Sequence, residues 1–127
     1  QWAMACRAGT ATAFAFGPQL DRSQAHFGQA TGGRPTPVKS FPPNAWGFHD
    51  MHGNLAEWCL DGWDLSFYTT GPRRDPLAPW ADATRCAVRG GSFPSTAAKL
   101  RSAARNRLEP GFKTNALGFR PARVVAP

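Results

Sequence analysis

The 127-residue chain is 42% hydrophobic, with 13 Gly, 12 Pro, 5 Trp and 9 Phe; it can supply one small core and is too aromatic for a disordered chain, so a loop-rich globule is predicted. No run approaches the roughly 18 apolar residues of a membrane-spanning helix, and no basic segment followed by an apolar run marks a signal peptide. The net charge of +7 falls wholly in residues 64–127; this suits an acidic partner, whereas scattered cations and the lack of a recognisable nucleic-acid module argue against nucleic acid.

In chain order, Trp2, Ala3, Cys6 and Arg7 have near-helical spacing and predict a helix over 2–8. No cap signal precedes it, so the chain is read as opening inside an element, as a fragment lacking its N-terminal part. Residues 9–46 are expected to be mainly loop, with Gly32-Gly33 and Pro35-Thr36-Pro37 as breakers. A short strand is predicted at Val38–Phe41, ended by Pro42-Pro43. Asn44–Gly47 reads as a turn, 55–61 as a strand and 62–83 as a polar loop punctuated by proline. Arg85–Gly90 alternates in the manner of a strand, with Gly90-Gly91 as a bulge or close-approach site. Residues 100–105 suit a further strand, although their composition also permits helix, and Leu117–Val125 is the last strand. No internal repeat is present.

Several side chains invite a chemical reading. Asn54 and Glu57 in Gly53-Asn54-Leu55-Ala56-Glu57-Trp58 place an amide oxygen and a carboxylate beside a glycine turn, the donor type that calcium takes. The alternative is that Asn54 caps the turn and Glu57 pairs with a buried arginine such as Arg89 or Arg101. His49 and His52, three apart across a turn, read as surface or satisfied histidines rather than metal ligands. Cys6, Cys59 and Cys86 are widely spaced without Cys-x-x-Cys, which supports neither a zinc site nor a dense disulfide framework. They are buried free thiols, or one disulfide with an odd thiol left over. Trp46, Trp58 and Trp63 read as core and loop anchors.

Three unrelated local signals follow one another in order: Gly47-Phe-His-Asp-Met-His-Gly-Asn-Leu-Ala-Glu-Trp58, Val88-Arg-Gly-Gly-Ser-Phe93 and Leu117-Gly-Phe-Arg120. With Trp2-Ala-Met-Ala-Cys-Arg-Ala-Gly-Thr10 at the start, they resemble the formylglycine-generating-enzyme (sulfatase-modifying factor) family, over almost the whole chain. The resemblance implies an α+β, C-type-lectin-like fold with short irregular strands, few helices and many loops. Residues 1–127 would then be the C-terminal portion of a single domain. It also implies that Asn54 and Glu57 hold a structural calcium ion. His26 stands where the family's other calcium site has an asparagine, which implies that this second site is lost.

The enzymes of the family use two copper-binding cysteines between the Gly-Gly-Ser element and the next arginine-rich strand. Here that stretch is Phe93-Pro-Ser-Thr-Ala-Ala-Lys-Leu100 and has no cysteine; hydroxyls do not replace thiolates toward soft copper, so neither copper nor the oxidase activity is expected. The mixture of framework residues with others over 93–116 is similar to the variable proteins of diversity-generating retroelements, which share the fold. That resemblance implies a prokaryotic or phage binding domain, displayed at a cell surface, for a protein or cell-surface ligand. Its contact residues would be Phe93, Pro94, Ser95, Thr96, Lys99, Ala104, Arg107, Leu108, Glu109, Phe112, Thr114 and Ala116. The alternative is an iron-dependent oxidoreductase of the wider family, such as the sulfoxide synthases of thiohistidine biosynthesis. With only His26, His49 and His52 here, the missing N-terminal part would have to supply ligands. A structural or accessory domain is the third reading.

Overall fold

The computed structural model describes residues 1–29, 33–72, 74, 76–79 and 84–123. Helix α1 (Trp2–Arg7) leads through a long irregular stretch to strand β1 (Ala56–Gly62), the four-residue helix α2 (Phe67–Thr70) and β2 (Cys86–Arg89). A single 3-10 turn at Ala97–Leu100 precedes β3 (Asn106–Leu108) and β4 (Leu117–Phe119). Among the described residues the strands form one sheet in the order β3-β2-β1-β4. β1 is antiparallel to β2 and parallel to β4, and β2 is antiparallel to β3.

The central strands are central because of what they bury. Cys86, Ala87 and Val88 are all buried, the unbroken pattern of a strand covered on both faces rather than the alternation of a half-solvated one. Trp58 pairs with Val88, but Gly62 pairs with Cys86, so four steps along β1 match two along β2. The surplus is a bulge, which bends β1 and increases its twist.

Helix α1 is too short to persist alone and is held by tertiary contacts. It stops on Ala8, whose φ of 47° is left-handed. Asn44 then donates from Nδ2 to the carbonyls of Ala5 (2.7 Å) and Cys6 (3.2 Å), while its Oδ1 accepts from Trp46 and Phe48 N–H. One buried amide thus satisfies the helix end and builds the predicted turn. Cys6 itself is fully buried against Ser102 Oγ, 3.5 Å away.

Leu100 and Val88 are the largest fully buried side chains, with Phe14, Met51 and Phe93 also in the core. Two glycines permit this packing. A Cβ on Gly53 (φ 85°) would strike the His26 carbonyl oxygen, and one on Gly91 (φ 66°) would lie 2.5 Å from Leu100 Cδ1. Gly91 is therefore the close-approach site that the Gly-Gly pair predicts.

Four sequence expectations need correction. Val38–Phe41 is not a strand, because Lys39 takes φ 66° with its N–H on Asp50 Oδ2 (2.8 Å) and Ser40 bonds back to Pro37. Residues 100–105 are not a strand either: Leu100 O accepts from His52 and Ser102 N donates to Ala13 O, so this backbone bonds to loops. Strand pairing starts only at Asn106. The last strand ends at Phe119 rather than Val125, and residues 124–125 lie outside the described residues. The loop predicted over 62–83 contains α2, although residues 73, 75 and 80–83 lie outside the description. Of the tryptophan anchors, Trp46 is 52% exposed and Trp58 and Trp63 are half-buried.

His52 is a satisfied core histidine. Ala15 N donates to its Nε2 (3.0 Å) and Leu100 O lies 2.7 Å from Nδ1, a pattern complete for the neutral ring with its proton on Nδ1. Burial lowers its pKa, against an opposing pull from the Leu100 carbonyl. A second proton, on Nε2, would break the Ala15 bond. Since the folded pKa lies below the ordinary value of 6.5, the unfolded chain takes up the proton first. This contribution to stability is whole above about 6.5 and is lost as pH falls toward the folded value. Thermal melts should therefore show Tm falling by a few degrees between about pH 7 and pH 5, with the fall abolished in His52→Gln.

Candidate functional site

Glu57, on β1, is buried and bonded on both carboxylate oxygens. Arg120 donates to it from Nη2 (2.7 Å to Oε1) and Nε (3.1 Å to Oε2), and Trp2 Nε1 donates to Oε2 at 2.7 Å. Arg120 Nη2 also reaches His49 O at 2.9 Å. The buried-arginine alternative thus names the right interaction and the wrong partner: Arg120 holds Glu57, while Arg89 donates to Ala104 O and Arg101 to Ala98 O. Asn54 is equally engaged, in left-handed backbone at φ 59°. Its Oδ1 accepts from Thr36 N (3.0 Å), its Nδ2 donates to Thr36 O, and its backbone joins His26 O to Phe93 N.

The residues expected to contact a ligand divide by burial. Pro94, Thr96, Lys99, Arg107, Glu109, Phe112 and Thr114 are exposed, and Ser95, Ala104, Leu108 and Ala116 are half-buried. Phe93 is a core side chain, 4% exposed, with its ring 6.0 Å from that of His26 and inclined to it by 28°. Its place in the ligand-contacting set is corrected accordingly. The Phe93 N–H is bonded to Asn54 O and its carbonyl to Gln29 N, so the chain turns inward there and emerges at Pro94.

These exposed residues do not form one patch. Arg107 and Leu108 lie on β3 at one edge of the sheet, whereas residues 114–116 lead into β4 at the other. Pro94–Lys99 forms a third group around the 3-10 turn. Between this turn and β2 lies a cavity of about 450 Å³ lined by Ser95, Lys99 and Ala104. Its wall also includes Arg89, Arg101 and Arg105, none of which is among the residues expected to meet a ligand. Their only signal was the excess of cations in the second half of the chain. A separate cavity of about 370 Å³ on the Glu57 side is lined by Val38, Phe48, Leu55, Phe119 and Arg120.

All three thiols are free. Burial pushes the thiols of Cys6 and Cys59 up to about 11 and raises that of Cys86, which keeps them protonated at neutral pH and poor as nucleophiles or metal ligands. None lies in the stretch from Phe93 to Leu100.

A model of the sulfatase-modifying factor enzyme 1-like domain matches residues 1–125. Over 98% of its length the chain is 36% identical to serine/threonine-protein kinase pkn1 of Chlamydia caviae, covering 20% of that protein. Over 68% of its length it is 39% identical to the formylglycine-generating enzyme of Streptomyces coelicolor, covering 28% of the enzyme. Among solved structures, Treponema denticola variable protein 1 matches 93% of the chain and 43% of its own at 26% identity, with a TM-score of 0.76. PvdO from Pseudomonas aeruginosa matches 93% of the chain and 48% of its own at 29% identity, with a TM-score of 0.80. The chain spans less than half the length of each of these proteins. With the four-stranded sheet, the few short helices and the long loops, these matches show that the chain belongs to the sulfatase-modifying-factor (formylglycine-generating-enzyme) domain family and has its α+β, C-type-lectin-like fold.

Proposed function

We propose that the domain is a recognition module that presents a ligand-binding surface on this scaffold, for a protein or cell-surface partner, and does not generate formylglycine. The observation that carries this reading is the form of the stretch after Gly90-Gly91. Phe93 and Leu100 are buried as anchors, and the side chains of Pro94, Thr96 and Lys99 between them are exposed. Such a loop can change its outward residues while its anchors preserve the fold. The protonated thiols elsewhere, buried at Cys6 and Cys86 and half-buried at Cys59, support the same reading. The likeness to a variable protein of Treponema denticola fits a prokaryotic or phage protein displayed at a cell surface. The match to one fifth of a Chlamydia kinase fits a module within a larger chain.

A library varying Pro94, Thr96, Lys99, Arg107, Glu109, Phe112 and Thr114 tests this reading. Most members should melt within a few degrees of the natural chain, since exposed substitutions usually change stability by less than about 0.5 kcal/mol each, and selection against a chosen protein target should yield binders. Widespread unfolding, or no binders from a folded library, would overturn the proposal. Phe93→Ala provides the contrast: the loss of a buried aromatic should cost about 3 kcal/mol in denaturant titrations, whereas Phe112→Ala should cost little.

In this reading Asn54 and Glu57 are structural. A calcium ion does not fit them as placed, because it would have to displace the Arg120 guanidinium and the Thr36 N–H from the oxygens it needs. A chelator should therefore leave Tm unchanged. Glu57→Gln should lower stability by roughly 2 kcal/mol through loss of the charge-assisted bonds, with or without added calcium. A calcium-dependent rise in Tm that Glu57→Gln removes would restore the cation.

A further inference from the structure

The cavity beside the 3-10 turn is lined by several cations. Among the described residues, Arg89, Lys99, Arg101 and Arg105 contribute to its wall, and no aspartate or glutamate does. The strand pleat accounts for part of this, since successive residues face opposite sides: Ala56 lines this cavity, and Glu57 lines the other, where Arg120 neutralises it. Two of the cations are partly set in position. Arg89 Nη1 donates to Ala104 O (3.3 Å) and Arg101 Nε to Ala98 O (3.0 Å). The Arg105 guanidinium sits 4.4 Å over the ring of Trp63, adding positive charge at the margin. Among the described residues, the Lys99 ammonium and the terminal nitrogens of Arg101 have no hydrogen-bond or ion-pair partner.

We propose that this cavity binds a carboxylate-bearing, acidic peptide segment of the partner protein. The proposal rests on the reading of this face as a recognition surface. A concavity lined by one sign of charge focuses its field and concentrates ligands of the opposite sign. Arginine presents paired N–H groups that match the two oxygens of a carboxylate. The volume of about 450 Å³ lies in the range of ligand sites, roughly 300–1,000 Å³, and accommodates one or two acidic side chains rather than a whole folded surface. The exposed residues Pro94 and Thr96, on the same loop as Ser95 and Lys99 of the wall, are available to the flanking peptide.

The test is fluorescence anisotropy of the full chain with a short glutamate-rich peptide, its glutamine counterpart, a single-stranded oligonucleotide and inorganic phosphate as competitor. The glutamate peptide should bind, weaken with added salt and outbind the glutamine peptide. Lys99→Ala with Arg101→Ala should weaken it about tenfold or more, with Tm unchanged because both side chains are exposed. Lys99→Glu gives an independent single-site measurement of the same loss. Lys113→Ala, an exposed cation that does not line the cavity, should leave affinity as it is. Equal loss in Lys113→Ala, equal binding of the glutamine peptide, or stronger binding of the oligonucleotide or phosphate would overturn the assignment. The two proposals fail separately: an unfolded library removes the display reading and leaves the peptide measurement valid, whereas undiminished peptide binding by the double variant removes only this site.

Discussion

The carboxylate of Glu57 is the point on which the rest of the structure depends. It sits on the central strand, receives Trp2 from the first helix and Arg120 from just past the last strand, and through Arg120 reaches the carbonyl of His49. Parts of the chain more than fifty residues apart are thus joined at one buried charge. Removing one member would leave the others desolvated and unpaired, which costs more than the pair's own net contribution. With strands of three to seven residues and a hydrophobic core of small side chains around Leu100 and Val88, ladder hydrogen bonds alone would hold the sheet weakly.

A second set of polar bonds positions the loops. Asn44 closes the first helix, Asn54 ties Thr36, His26 and Phe93 together, and His52 connects Ala15 to Leu100. Each is a buried polar side chain with its hydrogen bonds made, so each specifies a single arrangement of irregular backbone that apolar packing would leave degenerate. This network explains how a chain rich in glycine and proline keeps a defined shape. It also separates the framework from the surface: the side chains that hold the loops in place are turned inward, and those between them are exposed.

Much of this was legible in the sequence, for physical reasons that differ by element. The first helix, the two central strands and the start of the last strand carry periodicity or a distinctive local composition. The stretch from Leu100 to Arg105 does not, because its backbone bonds to distant loops, and no local pattern encodes a partner such as Ala13. The same applies to Glu57. The sequence indicated a buried arginine, but Arg89 is only its strand-pairing neighbour and Arg120 is brought in from beyond β4. At the candidate site, all of the residues from Pro94 to Thr114 expected to meet a ligand are exposed or half-buried, whereas Phe93 is not, since an aromatic after a glycine pair fits a loop or a core equally well. The basic wall of the cavity was hidden among the scattered cations of the second half of the chain, because only the fold brings Arg89 and Arg101 to one wall.

The strand order has a consequence for how the domain is made. β1 has β2 on one side and β4 on the other, and Ala56 N is bonded to Ala116 O, sixty residues later. As the chain is synthesised, one edge of the central strand therefore remains open until residues 116–119 are made, and Glu57 lacks its arginine until Arg120 follows. Pairings of such sequence separation are slow to form and leave strand edges available to other molecules in the meantime. The last few residues of the sheet thus close the fold as well as extend it, and a nascent chain halted before Leu117 would present β1 as a template for association with its neighbours.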